Sequence, residues 1–169
     1  AVGNSVYETQ ISQCIMDGDT TVAAASQPDY GIRFQTRATD NKISDCVISY
    51  IKTAGVLIEA GGNSFDGVHI YSLTTGNPTY GFQVNSTGTT ISRCNLDGIN
   101  NKGVYVGADN TAVIGCIFYW PTLISGSQAI FVATGINFTN LIGNQWRGYD
   151  SNTAQIEFDD ESGGNLPNI

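Results

Sequence analysis

The stretch ISDCVI, Ile43 to Ile48, places apolar residues at Ile43, Cys46 and Ile48, separated by three positions and then by two. The same arrangement returns in ISQCIM (Ile11 to Met16), ISRCNL (Ile91 to Leu96) and VIGCIF (Val113 to Phe118), so each of the four cysteines belongs to a repeat. A spacing of two is that of a strand, whereas a spacing of three is a slip that turns side chains outward unless the chain bends there. The residue inside the slip is Gln13, Asp45, Gly67, Arg93, Gly115 and Gly143 along the chain. Three glycines and an aspartate suit a corner built on positive φ. Each unit reads as a short strand, a corner and a second short strand.

Aligned on this stretch, the first apolar residues are Ile11, Ile43, Phe65, Ile91, Val113 and Leu141, with gaps of 32, 22, 26, 22 and 28. A second element, glycine-apolar-x-apolar, follows at Gly31, Gly55, Gly81 and Gly103, with looser versions starting at Ala129 and Gln155. From that element to the next first apolar residue the distance is 12, 10, 10, 10 and 12, while the opposite leg varies. Self-similarity at this period signals a solenoid, in which each unit has an apolar face that a stacked neighbour covers. Two short strands around a corner, a variable loop and a third strand make an all-β, right-handed parallel β-helix of about six turns, stacked about 4.8 Å apart. The domain covers residues 1–160, with an acidic exit segment at 161–169, and reads as a piece of a longer helix.

Cys14, Cys46, Val68, Cys94, Cys116 and Asn144 then share one inward column, in which a thiol is a small apolar filler. Thr9, Asn41, Asn63, Thr89, Thr111 and Thr139 form another, whose polar groups are expected to hydrogen-bond along the stack. Pro28, Pro78 and Pro121 fall in the variable leg, away from ladder positions that need an N–H.

The formal charge of −8 and the lack of a Lys/Arg run disfavour nucleic acid and anionic membrane surfaces. No segment approaches a membrane span, and AVGNSVYETQ at the start lacks the pattern of a signal peptide, so no membrane insertion is expected. With His69 as the single histidine, the cysteines are not a zinc set; neither a metal nor a cofactor is expected. GGNSFDGVH (Gly61 to His69) matches the calcium nonapeptide only once, with Ser64 in place of a glycine. Asn85 and Asn137 begin N-x-S/T triplets at a frequency unsurprising for this composition.

Outward columns locate the candidate surfaces. On the third strand Leu57, Tyr105 and Phe131 stand in one file, and contiguous exposed apolar area marks an interface, here between copies of the chain. Past the second strand come Asp17, Ser49, Tyr71, Asp97, Tyr119 and Arg147, with Trp120 next to Tyr119. Aromatic faces beside polar groups on a ridged surface suit a polysaccharide, which makes His69, Tyr71, Tyr119, Trp120 and Arg147 candidate substrate-binding residues. Glycosidic cleavage needs two carboxyl groups, about 5 to 5.5 Å apart for retention or about 6.5 to 9.5 Å for inversion. Asp66, Asp97 and Glu59 are the candidate catalytic acids, and the spacing fixes no pair among them.

The segment Asn41 to Gly98, with its Asn-x-Ile-x-x-Cys corner, glycine-apolar third strands and Phe-x-x-Val-His-Ile turn, resembles the pectate-lyase-like right-handed β-helices. Among them it is most similar to bacteriophage tailspikes, over Thr9 to about Phe158. The resemblance implies a homotrimer at the virion tail that binds, and by glycosidic cleavage depolymerises, a bacterial capsule, exopolysaccharide or O-antigen. It carries over no catalytic acid, because these sit at different places in different tailspikes. The chain departs from the pattern in lacking a head-binding domain and an evident capping helix. A non-catalytic receptor-binding or structural rod of a phage fibre or adhesin is the alternative, and a bacterial polysaccharide lyase the third reading.

Overall fold

The structure is a computed structural model that describes residues 6–19, 23, 26–72, 78–119, 127–147 and 156–158. Trp120, Pro121, Pro167 and the exit segment at 161–169 lie outside the described residues. The described chain is a parallel β-solenoid whose three main sheets contain six strands each. The first sheet comprises Gln10–Ser12, Lys42–Ser44, Ser64–Asp66, Thr90–Ser92, Ala112–Ile114 and Asn140–Ile142. The second comprises Ile15–Asp17, Val47–Ser49, His69–Tyr71, Asn95–Asp97, Ile117–Tyr119 and Gln145–Arg147. The third comprises Tyr30–Phe34, Ala54–Ile58, Tyr80–Val84, Lys102–Val106, Gln128–Val132 and Ile156–Phe158. A two-stranded parallel pair, Val6–Tyr7 with Ala38–Thr39, lies between the third and first sheets and has no counterpart in the sequence pattern.

The register is the one the repeat dictates: Ile11, Ile43, Phe65, Ile91, Val113 and Leu141 pair consecutively down the first sheet. Inward residues of all three sheets meet in one core that includes Ile43, Phe65, Ile70, Phe82, Leu96 and Phe118. Phe65 bridges it, edge-on to Phe34 at 5.7 Å and to Phe82 at 5.3 Å. Every corner residue inside the predicted slip, from Gln13 to Gly143, has φ between +50° and +65°. A second left-handed column, absent from the sequence reading, sits three residues before each first apolar position: Glu8, Asp40, Gly62, Gly88, Asn110 and Phe138.

The cysteines are free, with Cys46, Cys94 and Cys116 buried and Cys14 half-buried. Their thiols donate to nearby carbonyls, as Cys46 Sγ does to Ser44 O at 3.2 Å. A hydrogen bond with Cys116, together with burial, holds the Cys94 thiol above the usual range, and burial does the same for Cys46. Asn144 closes the column by accepting from Cys116 N at 2.9 Å and donating to Val113 O at 2.9 Å.

The Asn/Thr column is buried from Asn41 onward, but only its asparagines link neighbouring strands. Asn63 Oδ1 accepts from both Asn41 N and Asn41 Nδ2 at 3.0 Å, and Asn41 Oδ1 accepts from Thr9 N at 3.0 Å. Thr89 and Thr111 donate instead to Ser86 O and Ala108 O, three residues back, because their hydroxyls are too short to span the stack. The outward file on the third sheet also needs a correction. Leu57 is only 4% exposed, while Tyr105 and Phe131 are half-buried. Beside Leu57, Arg33 reaches from the strand before to Glu59 at 2.8 Å; farther along, Tyr105 stacks on Phe131 at 5.7 Å and Lys102 Nζ lies 4.6 Å from the Phe131 ring centre.

The third-sheet glycines face the core. A Cβ on Gly103 would meet Ala129 O at 2.5 Å and Phe118 Cδ1 at 2.6 Å, so Gly103→Ala is expected to destabilise the fold by about 1 to 3 kcal/mol in urea unfolding. Phe138 is the opposite case: φ is +57° and the residue is 65% exposed. Phe138→Asn should relieve a left-handed penalty and raise the unfolding free energy by roughly 1 kcal/mol in the same measurement.

Candidate functional site

Strand alternation sends residues 16, 48, 70, 96 and 118 of the second sheet inward and leaves two files facing out. Ile15, Val47, His69, Asn95, Ile117 and Gln145 form one, and Asp17, Ser49, Tyr71, Asp97, Tyr119 and Arg147 the other, each in register. Backbone bonds from His69 N to Cys46 O and from Asn95 N to Val68 O, both 2.9 Å, fix the neighbours of this face.

His69 Nε2 lies 2.8 Å from Asp97 Oδ2, a diagonal contact between adjacent strands. An ionised carboxylate only accepts, so Nε2 is the nitrogen that donates in this contact. Nδ1 has no partner among the described residues. The Tyr71 ring packs 5.0 Å from the His69 ring and edge-on to Tyr50 at 5.9 Å. His69 and Asp97 side chains are 36% and 21% exposed, open enough to meet a ligand and covered enough to stay in place. Tyr119 and Arg147 continue the file and are exposed. Ser49 Oγ donates to the Asp17 carboxylate.

The predicted binding residues His69, Tyr71, Tyr119 and Arg147 thus share one face, and Trp120 lies outside the described residues. The three predicted acids are not brought together as a set. Asp66 ends a first-sheet strand, accepts from Ser92 Oγ at 2.9 Å and pairs with Arg93. Glu59 follows a third-sheet strand and pairs with Arg33 at 2.8 Å, a contact that raises the Arg33 pKa. Asp97 holds His69 on the second sheet. Three sheets carry the three carboxylates, and each is engaged by a different base.

Two residues of the face were not singled out by the sequence. Asn95 stands directly opposite His69, with its amide oxygen buried and without a hydrogen-bond partner. Tyr50 packs on Tyr71 from the strand before. An acid or aromatic draws notice in a sequence, whereas an asparagine in an Asn-rich chain does not. Around the corner, the outer face of the first sheet forms a shallow cleft of about 370 Å³ lined by Ser12, Lys42, Ser44, Ser64, Asp66 and Ser92. It is polar throughout apart from Ile11 and Ile43 and contains no aromatic platform.

No protein-family model matches the chain, and neither the curated proteins nor the solved structures include a match. No helix among the described residues is long and apolar enough to cross a membrane.

Proposed function

We propose that the chain is a right-handed, six-turn β-helical segment of the bacteriophage tailspike type that binds a bacterial surface polysaccharide along the outer face of its second sheet. The in-register file Tyr71, Asp97, Tyr119 supports this reading. Its aromatic rings offer faces to sugar rings, and the carboxylate between them accepts from hydroxyls. The distribution of Asp66, Asp97 and Glu59 over three sheets favours binding over glycosidic cleavage by these acids within one chain. A virion-tail location follows from the same reading.

Self-association is part of the proposal. The outer face of the third sheet, with Tyr80, Tyr105 and Phe131 in mutual contact and half-exposed, is the association surface of a homotrimer. Sedimentation should give about three times the mass of the chain, and Phe131→Lys should reduce it to one; a monomeric parent protein would sink the trimer.

Calorimetric titration with extracted capsule, exopolysaccharide and O-antigen tests the ligand. Tyr71→Ala and Tyr119→Ala should each weaken binding roughly tenfold. Unchanged affinity in the double variant would discard this face as the site. Reducing ends measured in the same incubations report cleavage.

A further inference from the structure

On the second-sheet face three polar groups have hydrogen-bonding capacity that the fold leaves unused. Asp97 fixes one nitrogen of His69 and so aims the other away from the carboxylate. The Tyr71 hydroxyl, on the ring beside it, makes no hydrogen bond among the described residues. The Asn95 amide, opposite His69 in register, makes none either, and its oxygen is buried. A base with its orienting carboxylate, flanked by a hydroxyl and an amide donor, is the set that hydrolysis of an ester requires.

We propose that His69, Tyr71, Asn95 and Asp97 form a hydrolytic centre that removes acyl groups, such as acetyl, from the hydroxyls of an uncharged sugar polymer. His69 Nδ1 takes a proton from a water whose oxygen bonds to the acyl carbon. The carbonyl electron pair moves onto its oxygen, where Tyr71 Oη–H and Asn95 Nδ2–H donate. Collapse breaks the bond to the sugar oxygen, which receives the proton from His69. The products are a carboxylic acid and a free hydroxyl, and nothing is oxidised or reduced. Charge selects the uncharged substrate. The chain is formally −8, Asp17 and Asp97 lie on this face, and the one Lys or Arg in its two files is Arg147, at their end.

The inference uses the face assigned above to polysaccharide binding, but its first test needs no polymer. With p-nitrophenyl acetate as probe, the full chain should exceed free imidazole at equal concentration by at least about a hundredfold. His69→Gln should abolish that excess, and acylation of this single histidine by diethyl pyrocarbonate should do the same. Tyr71→Phe and Asn95→Ala should lower kcat about tenfold or more with little change in KM, the signature of donors that act on the transition state. Asp97→Asn is expected to lower kcat without lowering the melting temperature, and Lys52→Gln to keep the parental rate. Parental activity in folded His69→Gln overturns the proposal. So does an unsaturated product from polygalacturonate without ester hydrolysis, which would assign β-elimination to the same residues. Ester hydrolysis without polysaccharide binding would overturn the binding reading and leave this one standing; binding without hydrolysis would do the reverse.

Discussion

Two columns of left-handed backbone enclose the first sheet, and the register of the solenoid depends on them. The corner amides from Gln13 to Gly115 are hydrogen-bonded along the stack, as Asp45 N is to Asp66 O at 3.0 Å and Arg93 N to Ile114 O at 2.9 Å. The second column does the same, with Gly62 N bonded to Thr87 O at 3.1 Å and Asn110 N to Asn137 O at 3.2 Å. A positive φ at one residue reverses the alternation of side chains without interrupting the parallel ladder. That is why Ile43 and Cys46, three apart, both point inward, and why His69 and Tyr71 on the neighbouring strand both point out.

The polar interior follows from the same geometry. At the end of each corner the inward position is shallow, and a thiol or a valine fills it without overpacking, as Cys46, Val68, Cys94 and Cys116 do. Where the file meets the less covered end of the stack, Asn144 bonds to the carbonyl and amide of two earlier residues that a further cysteine could not satisfy. Asn41 and Asn63 do comparable work before the first sheet, where their amides supply acceptors to the N–H groups of Thr9 and Asn41 on the preceding turn.

How much of this was legible follows from whether a residue's type reports its job. The first corner was readable because it breaks the apolar spacing, so Gln13 and Arg93 were placed there despite being ordinary side chains. The second corner was not, since it precedes the apolar run without disturbing its spacing, although Asp40, Gly62, Gly88 and Asn110 are residue types that favour positive φ. Leu57 illustrates a different limit. Its outward direction followed from strand alternation, but its burial beside Arg33, its register partner on the strand before, is something no local pattern records. For the candidate site, register placed His69, Tyr71, Tyr119 and Arg147 on one face from sequence alone. The pairing of Asp66, Glu59 and Asp97 each with its own base required the structure.

The stack also explains how the outer face of the second sheet differs from those of the other two. A parallel ladder lines up equivalent positions at about 4.8 Å, so outward side chains of successive turns meet one another. On the third sheet the aromatic residues stack on one another and on Lys102, and on the first sheet Ser92 and Arg93 satisfy Asp66. The second sheet breaks this habit, because its two files place an imidazole opposite an amide and a phenol opposite a carboxylate. The diagonal bond from His69 to Asp97 leaves the Asn95 amide oxygen without a partner among the described residues. At this one step of the sequence the register sets four different polar groups side by side on the outer face of the stack.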